Sequence, residues 1–221
     1  MARAFSLTVI LLGAILAALG GIILYTEAAI FLKSGGGRNE RLSPLVSGTY
    51  ATGLSGFSNR ILMLDCDEAL NSTFGKLQPA DTRVAYAQNC LQAADDVLKR
   101  RPSDGLAHLV KANAYQYLGD NQAMARSLVL SQHMSPGEGW IADGRLRLGL
   151  PIYPDLPADA AAAVAADVAL LASSRRSAAW LARLYLRKDK SPEVLLSLVD
   201  ILPDGSKANV LAEIRAATRL R

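Results

Sequence analysis

Residues that do chemistry are scarce in this chain. Among 221 residues there are two cysteines and two histidines. His108 and His133 stand 25 residues apart on separate expected helices. No Cys-x-x-Cys and no paired Cys/His spacing exists, so the common zinc motifs are excluded. No G-x-S-x-G, H-E-x-x-H or phosphate-loop pattern occurs either. Aromatic residues make up 6% of the chain, and no basic run is interleaved with them, which argues against nucleic acid as a partner. Beyond residue 40 no stretch of Val, Ile and Thr alternates strictly with polar residues, so sheet is not expected. These absences point away from an enzyme and from any cofactor or resident metal.

What remains is helical in character. Hydrophobic residues reach 51%, with alanine abundant. Glycine and proline fall mainly between apolar-periodic stretches, not inside them. The abundance of alanine and the excess of arginine over lysine suit a GC-rich bacterial genome. The formal charge of +4 is carried largely beside the first apolar stretch, by Arg3, Lys33, Arg38 and Arg41.

That stretch, Phe5 to Tyr25, holds no charge. A helix of about 21 residues rises roughly 30 Å, enough to cross the hydrocarbon core of a bilayer. A cleaved signal peptide has a shorter apolar region followed by a small-x-small site. Here the only tolerable site, Ala18-Leu19-Gly20, lies inside the run, so an uncleaved anchor is the preferred reading and a cleaved signal the alternative. Ala14, Ala17, Ala18 and Gly21 form small-xxx-small pairs of the kind that pack membrane helices; whether they oligomerise this one stays open. Glu27, just past the run, is either an interfacial carboxylate reaching for water or an intramembrane ionisable site.

Four segments follow from this pattern: an anchor over 1–32, a flexible Gly/Ser-rich tether over 33–56, helical repeats over 57–150, and C-terminal helical hairpins over 151–221. Helices are expected near 57–75, 82–101, 104–118, 121–134, 138–148, 158–173, 175–188, 191–202 and 206–220. Short helices joined by short turns pack as antiparallel neighbours.

The stretch Ala112-Asn113-Ala114-Tyr115-Gln116-Tyr117-Leu118-Gly119-Asp120 resembles the end of the first helix of a tetratricopeptide repeat and its tight turn. Pro102-Ser103-Asp104-Gly105 recurs 34 residues later as Pro136-Gly137-Glu138-Gly139, at the period of that family. Trp140 and Gly144 fall where the family favours a large and a small residue. The resemblance covers residues 83–148. His108 departs from it, standing where a bulky apolar residue is usual, as does Met124, standing where a small one is. Other α-hairpin stacks remain the alternative. The resemblance implies an all-α fold: an N-terminal transmembrane helix, then a short α-hairpin solenoid with C-terminal capping helices. It also implies a groove for an extended segment of another protein, lined by Leu109, Lys111, Asn113 and Gln116, with Asn113 holding the partner's backbone.

Cys66 and Cys90 lie twelve residues before and after Gln78, where an antiparallel hairpin would turn. Equal distances put them at one height, and a bridge would close a loop of about 25 residues, worth roughly 3 kcal/mol. Two buried free thiols are the alternative. A disulfide favours an oxidising compartment such as the periplasm. The flanking positive charges, taken alone, favour a cytoplasmic domain. Arg176, Arg183 and Arg187 share one helix face, read either as a solvated surface or as a contact for an anionic partner. Together these features suggest a single-pass inner-membrane protein with a periplasmic domain. Its expected role is a non-catalytic scaffold binding another envelope protein, with surface polysaccharide assembly or export as first choice. Alternatives are a secretion or cytochrome-maturation subunit, or a metal-dependent enzyme using His108.

Overall fold

The computed structural model describes residues 2–186 and 192–219. Among these the secondary structure is helical, with no strand. The chain divides into two compact units, one up to Asn89 and one from Cys90. The division falls inside helix α5 (Ala80–Arg100).

The first unit opens with α1 (Ala2–Ser34). Every side chain from Val9 through Tyr25 is exposed. The segment Val9–Leu32 is long and apolar enough to cross a membrane. The apolar run of the sequence is therefore the first part of a longer helix, which packs on α2 (Arg38–Ser47) and α3 (Gly56–Asn71).

Helix α2 lies where the composition suggested a flexible tether. Its first turn is closed by the Gly37 N–H donating to Glu40 at 3.2 Å, and Gly48 ends it at φ 72°. Asn89 Nδ2 donates to the carbonyls of Leu45 (2.8 Å) and Val46 (3.2 Å) in the last turn of α2. Pro44 sits inside the helix and cannot donate to the ladder. Burial of Leu42 and Leu45, each worth about 1.5–3 kcal/mol, offsets that loss. The expected helix 57–75 breaks at Ser72, whose hydroxyl accepts from the Gly75 N–H and starts the short α4 (Thr73–Lys76). Leu62, Met63, Ala69 and Leu70 of α3, with Tyr86 and Ala87 of α5, are buried.

The second unit contains α6 (Gly105–Leu118), α7 (Asn121–Met134), α8 (Gly139–Gly149), α9 (Ala158–Ala172), α10 (Arg175–Leu186), α11 (Pro192–Asp200) and α12 (Asp204–Arg219). A 3-10 turn, Leu150–Asp155, occupies the proline-rich break between α8 and α9. Helix α6 packs on α7 and α8 on α9; α6 also meets α8, and α7 meets α9. This is a stack of two α-hairpins, with α10 and α12 packed together and α9 against both. Gly119 closes α6 at φ 83°, and Asp120 accepts from the Ala123 N–H at 2.9 Å to open α7. Asp104 caps α6 in the same way, accepting from the Ala107 N–H at 3.0 Å. A Cβ on Gly144 would come within 2.6 Å of Leu109 Cδ2, so glycine is what lets α8 approach α6.

Candidate functional site

The four residues expected to line a groove lie on α6, in different environments. Leu109 is buried, because α8 lies over α6 and Gly144 admits its side chain. Lys111 is half-buried, donates to Asp95 at 2.6 Å, and lies 5.8 Å from the Tyr115 ring centroid. Asn113 is 6% exposed, and its Nδ2 has no hydrogen-bond partner among the described residues. Gln116 is exposed. The four do not form one open surface. Leu109 belongs to the core, Lys111 is held by Asp95, Asn113 is a buried amide with its Nδ2 unsatisfied, and Gln116 is free to reach solvent.

His108 is buried, and its Nε2–H donates to the Pro102 carbonyl at 3.0 Å, while its Nδ1 has no partner among the described residues. Burial pushes its pKa down, and the bond to Pro102 opposes that. No cluster of three His, Cys, Asp or Glu able to hold a metal occurs among the described residues. Cys66 and Cys90 are fully buried; both are disulfide-bonded and neither is free. Arg176 and Arg183 are exposed on α10, with the Arg183 guanidinium 6.0 Å over the Trp180 ring. Arg187 lies outside the described residues.

Three polar constellations were not anticipated. In the second unit Arg145 and Asp167 are fully buried. Arg145 Nε and Nη2 donate to the two Asp167 oxygens at 2.7 and 2.6 Å. Its Nη1 donates to the Ser131 carbonyl at 3.1 Å, which also accepts the Ser135 N–H, and Nη2 donates to the carbonyl of the capping Ser135 at 3.3 Å, so the guanidinium binds the C-terminal end of α7. Ser131 Oγ donates in turn to the Gly105 carbonyl at 2.8 Å. One network thus ties α6, α7, α8 and α9. Burial pushes the Asp167 carboxyl up, opposed by the guanidinium.

In the first unit Arg41 donates to Asp65 and, at 2.6 Å, to Glu68; Arg38 donates to Glu68 at 2.5 Å and lies over the Phe74 ring. Adjacent acids on a helix diverge, but Asp65 and Glu68 are three apart and face together. Arg41 holds the Glu68 carboxyl below the usual carboxylate range, whereas burial pushes Asp65 up. A cleft beside them is lined by Ile30, Pro44, Tyr50 and Ile61.

The third constellation centres on Glu27. Its carboxylate accepts from the backbone N–H groups of Leu54 and Ser55 and from the hydroxyls of Ser55 and Ser58. A carboxylate beside an apolar run gave the sequence signal; the four donors, 27 to 31 residues away, did not. Comparison with protein-family models, with curated proteins and with solved structures finds no match.

Proposed function

We propose that this protein is a non-catalytic docking module of the bacterial cell envelope, anchored in the inner membrane by α1. On this reading, α6/α7 and α8/α9 act as tetratricopeptide-type hairpins that hold a segment of another envelope protein. The observation that carries the reading is the Asn113 amide. A buried donor without a partner costs about 1–3 kcal/mol, and buried polar groups are seldom left so. An extended peptide offers a backbone carbonyl that would recover that bond, with exposed Gln116 about one helical turn further along the same face.

The disulfide supports a periplasmic orientation, because thiols stay reduced in most cytosols. Exposure of every side chain over residues 9–25 supports a lipid-facing anchor. Surface polysaccharide assembly or export remains our first choice of process, on fold-level analogy.

The test places a photo-crosslinking benzophenone amino acid at Gln116 of the membrane-anchored protein. We expect one defined envelope protein to be captured, and Asn113→Ala to abolish capture while the melting temperature holds. Capture that survives Asn113→Ala undiminished would remove Asn113 from recognition and leave the hairpins as a spacer.

A further inference from the structure

The Glu27 constellation has a physical problem to solve. Glu27 lies within the apolar segment Val9–Leu32. A carboxylate at or near the hydrocarbon boundary is expensive unless its lone pairs are filled. Here two backbone N–H groups and two hydroxyls fill them, all from residues 54–58. Non-helical backbone tolerates the membrane only where its polar groups are satisfied by protein, and Glu27 satisfies those of Leu54 and Ser55. Gly53 is held close as well, since a Cβ there would meet Ser58 Cβ at 2.3 Å and Glu27 Oε1 at 3.0 Å. Wherever Glu27 sits, residues 53–58 sit with it.

The side chains this loop presents are apolar. Leu54 is 59% exposed and Phe57 61%. Phe57 meets the exposed Phe31 of α1 (60%), whose neighbour in sequence, Leu32, is 76% exposed. The Phe31 and Phe57 rings meet at a tilt of 32° with centroids 6.1 Å apart. The exposed Phe31–Phe57 pair, with exposed Leu32 next to Phe31 in sequence and exposed Leu54, whose N–H binds Glu27, continues the apolar helix in a surface that water disfavours. Phenylalanine and leucine are the side chains with which interfacial segments enter the headgroup–acyl boundary.

We infer that residues 53–57, a turn and the first residues of α3, form a second membrane contact, dipped into the lipid interface with Leu54 and Phe57 among the acyl-chain ends and Glu27 as the polar tie. The occupant of the patch is the lipid surface itself. This inference rests on α1 being embedded in a bilayer, as proposed above. It adds that the first unit is seated on the membrane at a fixed depth, not suspended from it.

The full chain, in nanodiscs of phosphatidylethanolamine and phosphatidylglycerol, tests this. A benzophenone amino acid is placed at Leu16, Phe57 or Leu77 in turn, and lipid adducts are read by mass spectrometry after illumination. Leu77 is 78% exposed and caps α4, which follows the end of α3; α3 itself runs roughly 20 Å from Phe57 to Asn71. The aromatic probe at position 57 replaces an exposed aromatic, so folding is preserved. Adducts at 16 and 57 but not at 77 are expected. Adducts at 16 with none at 57, or at 57 no stronger than at 77, would overturn the loop insertion while leaving the anchor standing. Absence at both 16 and 57 would overturn the anchor as well. A protein partner covering the patch would appear as a protein adduct at 57 in native membranes and no lipid adduct in nanodiscs, which also overturns the inference.

Discussion

Arg145 and Asp167 are each fully inaccessible to solvent, and each is the other's bidentate partner. Two charges taken out of water are costly, and their attraction repays this only with good geometry and filled remaining valences. Both conditions hold here, since Ser131 and Ser135 take the other guanidinium protons. Breaking such a pair leaves one charge buried alone, at a cost of about 3–5 kcal/mol. Asp167→Ala should therefore lower stability by that amount in denaturant unfolding. The double variant Arg145→Met/Asp167→Leu should recover most of it, because neither charge is then stranded. A double variant as unstable as the single one would show that the network orders the hairpins and does more than neutralise charge. Part of this was legible beforehand. Asp167 falls on the stripe of Ala160, Ala163, Val164, Val168 and Leu171, where a lone acid on an apolar face demands a partner. Its partner on α8 was not legible, because pairing across helices depends on their rotation.

At the scale of elements, the contrast lies between α6/α7 and α2. The turn at Gly119-Asp120 was written in local chemistry, a glycine able to take positive φ followed by a capping acid. Most helix ends of the second unit follow similar signals and lie within two residues of the expected ones. Helix α2 was missed because its local signals mislead: glycines flank it and Pro44 interrupts it. Burial of Leu42 and Leu45 and the distant Asn89 amide decide its conformation, and sequence-local rules do not see them. The candidate groove failed in part for the same reason. That α8 would cover Leu109 depends on helix packing that the repeat pattern alone does not specify. Gly119 offers a clean test of the local part. Nothing lies within 4 Å of a Cβ added there, so any cost of substitution is conformational. Gly119→Val should destabilise the second unit by about 1–2 kcal/mol, and Gly119→Asn by less, because asparagine tolerates the left-handed region. Equal losses for the two, read from thermal melts, would contradict a backbone origin.

For the molecule as a whole, the disulfide links stability to compartment. In the chain-entropy picture, a bridge closing a loop of about 25 residues contributes roughly 3 kcal/mol by restricting the unfolded state. The double variant Cys66→Ala/Cys90→Ala should lose about that much, an appreciable fraction of the 5–15 kcal/mol that holds a typical domain folded. It should not gain reactivity or lose a catalytic step, because both sulfurs are buried in linkage and serve no site described above. With α1 as the proposed anchor, the same sulfurs test the proposed side of the membrane. Cells quenched in acid and treated with a thiol-alkylating reagent under denaturing conditions should leave both cysteines unmodified. Prior reduction should then add two alkyl groups, seen as a mass shift of the intact chain. The flanking charges Arg38 and Arg41 do not oppose this outcome in the folded state, since Glu68 and Asp65 already pair with them. Should both cysteines alkylate without reduction, the thiols are free in the cell and the domain resides on the reducing side. The periplasmic placement would then fall, and the positive-inside reading of Lys33, Arg38 and Arg41 would stand in its place.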